Sequence, residues 1–76
     1  MNHEPLVRMA NQIAHAFATQ SPAAAVASTA THIRLFWDPR MRQGLREILA
    51  SGGEGLDPMA LAAAERLAQE VPASLP

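Results

Sequence analysis

Apolar residues recur three and four apart along this chain, in four stretches that each open at a proline. That spacing is the period of an α-helix, and proline suits the first helical position because its missing N–H has no intrahelical partner there. The starts are Glu4-Pro5, Ser21-Pro22, Asp38-Pro39 and Asp57-Pro58. Ser21, Asp38 and Asp57 each bring a side-chain oxygen that can cap the first free N–H groups of a helix. Alternating β-branched runs and Asn-Gly or Asp-Gly hairpin turns do not occur, so no strand is predicted.

The pattern therefore predicts an all-α fold, a compact bundle of three to four short helices at about 5–19, 22–37, 39–50 and 58–70. Helix one turns Leu6, Met9, Ala10, Ile13 and Phe17 to one side and Arg8, Asn11 and His15 to the other. Helix two offers Val26, Ala30, Ile33 and Trp37, and helix three Met41, Leu45 and Ile48 with Leu49 at the edge. Helix four offers Leu61, Ala64, Leu67 and Val71. Gly52-Gly53 should end helix three and begin a glycine-rich connector over 51–57, and residues 72–76 should form a flexible tail to a single domain.

Length and composition narrow the function. A core of 76 residues supplies only about 3–5 kcal/mol of net stability, and small domains usually add a disulfide, a metal or a partner. The chain has no cysteine, which removes disulfides and thiolate metal sites and leaves tight packing or assembly. Its net charge of −1 gives no basic field for nucleic acid. No apolar run approaches the roughly 18 residues of a membrane span, and Glu4, Arg8, Asn11 and Gln12 interrupt any signal-peptide core. The expectation is a cytoplasmic protein bound to neither membrane nor nucleic acid. Every basic residue is arginine, which reflects either the codon usage of a GC-rich genome or a use for its planar fork.

No catalytic, metal or cofactor site is expected. His3, His15 and His32 lack a metal-ligand spacing, and the caps account for Asp38 and Asp57. "SGGEGL" at 51–56 lacks the Lys-Ser/Thr of a phosphate loop. The informative stretch is "LFWDPRMRQGLR" at 35–46, which holds the only tryptophan and half the arginines. Leu35 projects about 180° from the Val26–Trp37 stripe, so the last turn of helix two is apolar nearly all round. Such a turn is either the packed corner of the fold or a surface that a partner covers, with Phe36 or Trp37 as anchor. Arg34, Arg40, Arg42 and Arg46 stand beside it. Arg46 has no acid four residues away, and Asp38, four before Arg42, is accounted for by the cap, so either solvent or an anionic partner satisfies the two arginines. Arg40 has Asp38 and Glu47 within reach. Asn11 and Gln12 sit on the polar side of helix one, where no intrahelical role calls for an amide; they are read as contact residues. The same apolar turn leaves room for a homodimer when the chain is isolated.

"LVRMANQIAHAF", "HIRLFWDPRMR" and "GGEGLDPMALAA" together resemble the delta subunit of the soluble NAD-dependent, molybdenum-containing formate dehydrogenases of bacteria, over about Leu6 to Leu67. "FWDPRMR" at 36–42 is the most specific element, and Met9, Asn11 and Gln12 match within the first motif. The resemblance implies a non-catalytic accessory subunit without a redox centre, concerned with assembly, cofactor maturation or stability. In such enzymes the alpha subunit carries the molybdenum bis-molybdopterin guanine dinucleotide and iron–sulfur clusters, beta binds flavin and NAD, and gamma adds an iron–sulfur cluster. Two roles follow: a permanent subunit docked on alpha, or a transient chaperone that binds immature alpha or its guanine-dinucleotide cofactor. The partner surface is expected at Asn11, Gln12, Arg34, Leu35, Phe36, Trp37, Arg40, Arg42 and Arg46. A helix-turn-helix DNA binder is disfavoured by the charge.

Overall fold

Four helices make up the structure, a computed structural model that describes residues 3–73, with side chains described through residue 70. They are α1 (Glu4–Ala16), α2 (Pro22–Phe36), α3 (Pro39–Ala50) and α4 (Pro58–Ala73). No strand occurs among the described residues. The fold is the all-α bundle that the periodicity predicts. Its Cα radius of gyration, 11.5 Å, matches the roughly 11 Å of a folded domain of this length.

Local chemistry sets the helix starts. Ser21 Oγ accepts the Ala24 N–H at 3.3 Å, and Asp38 Oδ1 accepts the Met41 N–H at 2.8 Å. α1 has no side-chain cap; the His3 carbonyl accepts from Leu6 and Val7, while its ring turns away to Glu47. α1 also ends at Ala16, three residues before the expected Thr19. Phe17 through Gln20 instead make tight turns, Ala18 N–H to His15 and Gln20 N–H to Phe17, which bring the chain round to Ser21. α4 continues three residues past Glu70, to Ala73. The expected burial of Val71 and the expected tail from residue 72 lie beyond the fully described residues.

α3 stops where Gly52 and Gly53 adopt positive φ, 109° and 71°. The Gly53 N–H donates to Ile48 O at 2.8 Å and the Gly52 N–H to Leu49 O at 3.0 Å. This six-to-one and five-to-two pairing is a Schellman motif, which satisfies two orphan carbonyls and reverses the chain.

The core is built largely of alanine. Ala10, Ala14, Ala25, Ala30, Ala60, Ala63 and Ala64 are buried around Ile33, Trp37, Leu45 and Ile48. Met9, expected inside, is 38 % exposed, because Ala10 and Ala14 rather than Met9 face the neighbouring helices. Leu6, Ile13, Met41 and Leu67 pack against the core from its edge, and Val26 is half-buried. On α2 the inward row is Ala25, Thr29, Ile33 and Trp37. Thr29 is fully buried, and its hydroxyl donates to Ala25 O at 2.7 Å, so no polar atom there is left unpaired.

Candidate functional site

The stretch at 33–37 splits between inside and outside. Ile33 is fully buried and Trp37 is 5 % exposed, while Leu35 and Phe36 are 68 % and 70 % exposed. The split follows the helical period: Trp37 lies four residues after Ile33 on the inward side, and Leu35 and Phe36 fall away from it. Phe36 is the last helical residue, and Trp37 leaves the helix with extended dihedrals (φ −86°, ψ 136°). Those dihedrals end α2 and lead the chain into the Asp38 cap of α3. Phe36 stacks on the His32 ring at 4.7 Å between centroids, and His32 meets Phe17 edge-on at 6.3 Å. With Met9, Gln12, Ile13 and Met41 these rings line one continuous concavity across α1, α2 and the start of α3. Gln12 is exposed at its margin.

Asn11 does not belong to that surface. Its carboxamide donates to Gly55 O at 2.9 Å and accepts the Asp57 N–H at 2.8 Å. The contact that its amide serves lies within the fold and ties α1 to the connector before α4.

The arginines divide as well. Arg34 pairs with Glu70 on α4 at 2.8 Å and reaches Thr31 Oγ1 at 3.4 Å. Arg46 donates through Nε and Nη2 to Gln43 Oε1, at 3.2 and 2.6 Å. Arg42 Nε is buried with no hydrogen-bond partner among the described residues. These three arginines, with Glu70, line a cleft of about 270 Å³ floored by Leu45, Ala64 and Leu67. Arg40 is exposed and joins neither Asp38 nor Glu47 in an ion pair. Asp38 caps α3, and Glu47 accepts from His3 Nε2 at 2.8 Å and from Gln43 Nε2 at 3.4 Å. Those two hydrogen bonds, His3 first, hold the Glu47 carboxyl below the usual glutamate range.

Among the described residues no group of three or more His, Cys, Asp or Glu side chains could hold a metal. The glycine-rich connector spends its Gly52, Gly53, Leu56 and Asp57 amides on internal acceptors, so those N–H groups do not form a phosphate cradle. No helix among the described residues is long and apolar enough to cross a membrane.

A family model described as "NADH-dependant formate dehydrogenase delta subunit FdsD" matches residues 5–64. The chain belongs to this delta-subunit family. No curated protein and no solved structure matches it. The delta-subunit match takes in α1, α2, α3 and the first half of α4, so Leu35, Phe36 and the three cleft arginines all lie within it. Glu70, the partner of Arg34, lies beyond it.

Sequence reasoning overlooked Glu70, Gln43 and the Phe17–His32–Phe36 stack. Gln43 sits three residues before Arg46, a helical spacing at which side chains meet, so its pairing was open to discovery. Glu70 is 36 residues from Arg34, and only the packing of α2 on α4 brings them together.

Proposed function

We propose that this chain is a non-catalytic accessory subunit of an NADH-dependent formate dehydrogenase in the cytoplasm. In this reading it docks stably on the molybdenum-containing alpha subunit through the face that carries Leu35 and Phe36. Family membership places the chain with the delta subunits of such complexes. The observation that carries the docking surface is the exposure of Leu35 and Phe36, 68 % and 70 %, beside a buried Trp37. Two large apolar side chains, adjacent and in solvent, form the kind of patch that a partner covers. An aromatic held in place by stacking, as Phe36 is on His32, suits an interface anchor.

The test is stoichiometry. The tagged chain is co-expressed with the formate dehydrogenase subunits and purified under native conditions, with this chain, alpha and molybdenum quantified together. One copy per alpha in molybdenum-loaded enzyme is the expected result, with loss of retention in Leu35→Ser/Phe36→Ser. Recovery only with molybdenum-poor alpha would replace the stable subunit by a transient maturation chaperone. A homodimer without alpha would overturn both.

A further inference from the structure

We propose that the cleft between α2, α3 and α4 is a carboxylate-binding site, and that it receives a glutamate or aspartate side chain of the partner protein between Arg42 and Arg46. The inference rests on the docking reading above and adds a second point of contact to it, chemically distinct from the Leu35–Phe36 face.

Charge is the first ground. Arg34, Arg42 and Arg46 are half of the six cationic side chains, and all three line this one cleft. Glu70 is the single carboxylate among its lining residues, so three positive groups face one negative group in a chain whose net charge is −1. The second ground is an unused donor. Arg42 Nε is buried and has no acceptor among the described residues, although a buried guanidinium N–H is costly to leave unpaired. Arg46, one helical turn on, is held only by the neutral amide of Gln43, which fixes its plane and leaves its charge uncompensated. Like charges four apart on a helix repel, and an anion between them reverses the sign of that interaction.

The cleft already accommodates a carboxylate at one end: Glu70 Oε1 sits 2.8 Å from Arg34 Nη1. Its apolar floor of Leu45, Ala64 and Leu67 excludes water from behind the guanidinium groups, which strengthens a charged pair and receives an aliphatic neighbour of the incoming acid. The lining separates an acidic side chain from a nucleotide. No aromatic plane lines the cleft to stack a base. Arginine is the residue suited to this task, because its planar fork meets both carboxylate oxygens at once.

Titration of the isotope-labelled full chain tests the site without the partner. The probe is the peptide acetyl-Leu-Glu-Leu-amide, its control acetyl-Leu-Gln-Leu-amide, with inorganic phosphate and GDP as competing chemistries. The glutamate peptide should move the Arg42 Nε–H resonance along a saturable curve in the millimolar range, about tenfold tighter than the glutamine peptide. Arg42→Gln/Arg46→Gln should abolish the response. Arg42→Lys, which keeps the charge and loses the fork, should weaken it severalfold, and a dispersed amide spectrum confirms that each variant is folded. Equal binding of the two peptides, an Arg42 signal that never moves, or tighter saturation by phosphate or GDP would each overturn the proposal. In the co-expressed complex, wild-type retention of Arg42→Gln/Arg46→Gln would refute the cleft. Loss of retention in Leu35→Ser/Phe36→Ser would still uphold the docking face.

Discussion

Asn11 holds Asp57 in place across the fold: its Oδ1 accepts the Asp57 backbone N–H at 2.8 Å, while its Nδ2 donates to Gly55 O at 2.9 Å. One half-buried amide thus satisfies a donor and an acceptor in a connector that has no regular structure of its own. Asn11→Ala should lower stability by about 1–2 kcal/mol in urea titrations. Asn11→Asp should cost more than Asn11→Ala above the carboxylate pKa, because a carboxylate would then face the Gly55 carbonyl. Equal stability of Asn11→Ala and wild type would show that the connector holds itself.

Adjacent aromatic residues should behave as opposites. Trp37→Ala removes a buried indole and should cost about 3–5 kcal/mol, enough to unfold a domain of this size. Phe36→Ala should stay within about 0.5 kcal/mol, as surface changes do. Emission from the only tryptophan reads both cases: blue-shifted and shielded from iodide in wild type and Phe36→Ala, red-shifted in Trp37→Ala/Phe36→Trp as in the denatured chain.

Gly53 is confined twice. Its φ is 71°, and a Cβ built there would lie 2.6 Å from Leu61 Cδ1. Gly53→Ala should lose about 1–2 kcal/mol from the left-handed backbone alone. For a domain this small that corresponds to a fall of roughly 5–15 °C in Tm, by circular dichroism. A Tm within the error of wild type would mean that the turn relaxes to another form.

Glu47 sets a pH dependence. Its carboxyl titrates lower in the folded chain than in the unfolded one, because His3 and Gln43 hydrogen-bond its charged form. The unfolded state therefore binds the proton first as pH falls. The contribution is fully present above the ordinary glutamate pKa and is lost as pH drops through the lower, folded value. Glu47→Gln should lower stability slightly at neutral pH and converge with wild type in acid, which flattens the acid limb between those two values. An unaltered acid limb would assign the slope to other carboxylates.

The helix starts were legible because proline and its capping neighbour act within three residues of each other. Asp38 Oδ1 on the Met41 N–H is a local fact written locally. The end of α1 was not legible, since neither glycine nor proline stops the pattern before Ser21-Pro22. Core assignment erred in one direction, toward large side chains. Met9 was expected inside and Ala14 and Thr29 were not singled out, because helices that pack on alanine leave little room for anything longer. That Arg46 has no acid four residues away, and that Asp38 before Arg42 is taken by the cap, was visible in sequence, whereas the shape of the cleft came from α4. The task of Asn11 spans 44 and 46 residues and leaves no local trace.

The alanine core has a consequence for the life of the chain in the cell. Small side chains bury little surface, while Leu35 and Phe36 spend theirs on the outside. With the docking proposed above, a share of the free energy that keeps this chain folded is supplied in trans and grows with the concentration of its partner. Copies made in excess of the enzyme are then the ones that proteases find first. The lifetime of the subunit becomes a gauge of assembly, and its abundance is matched to that of the enzyme by degradation, with no need for tuned expression.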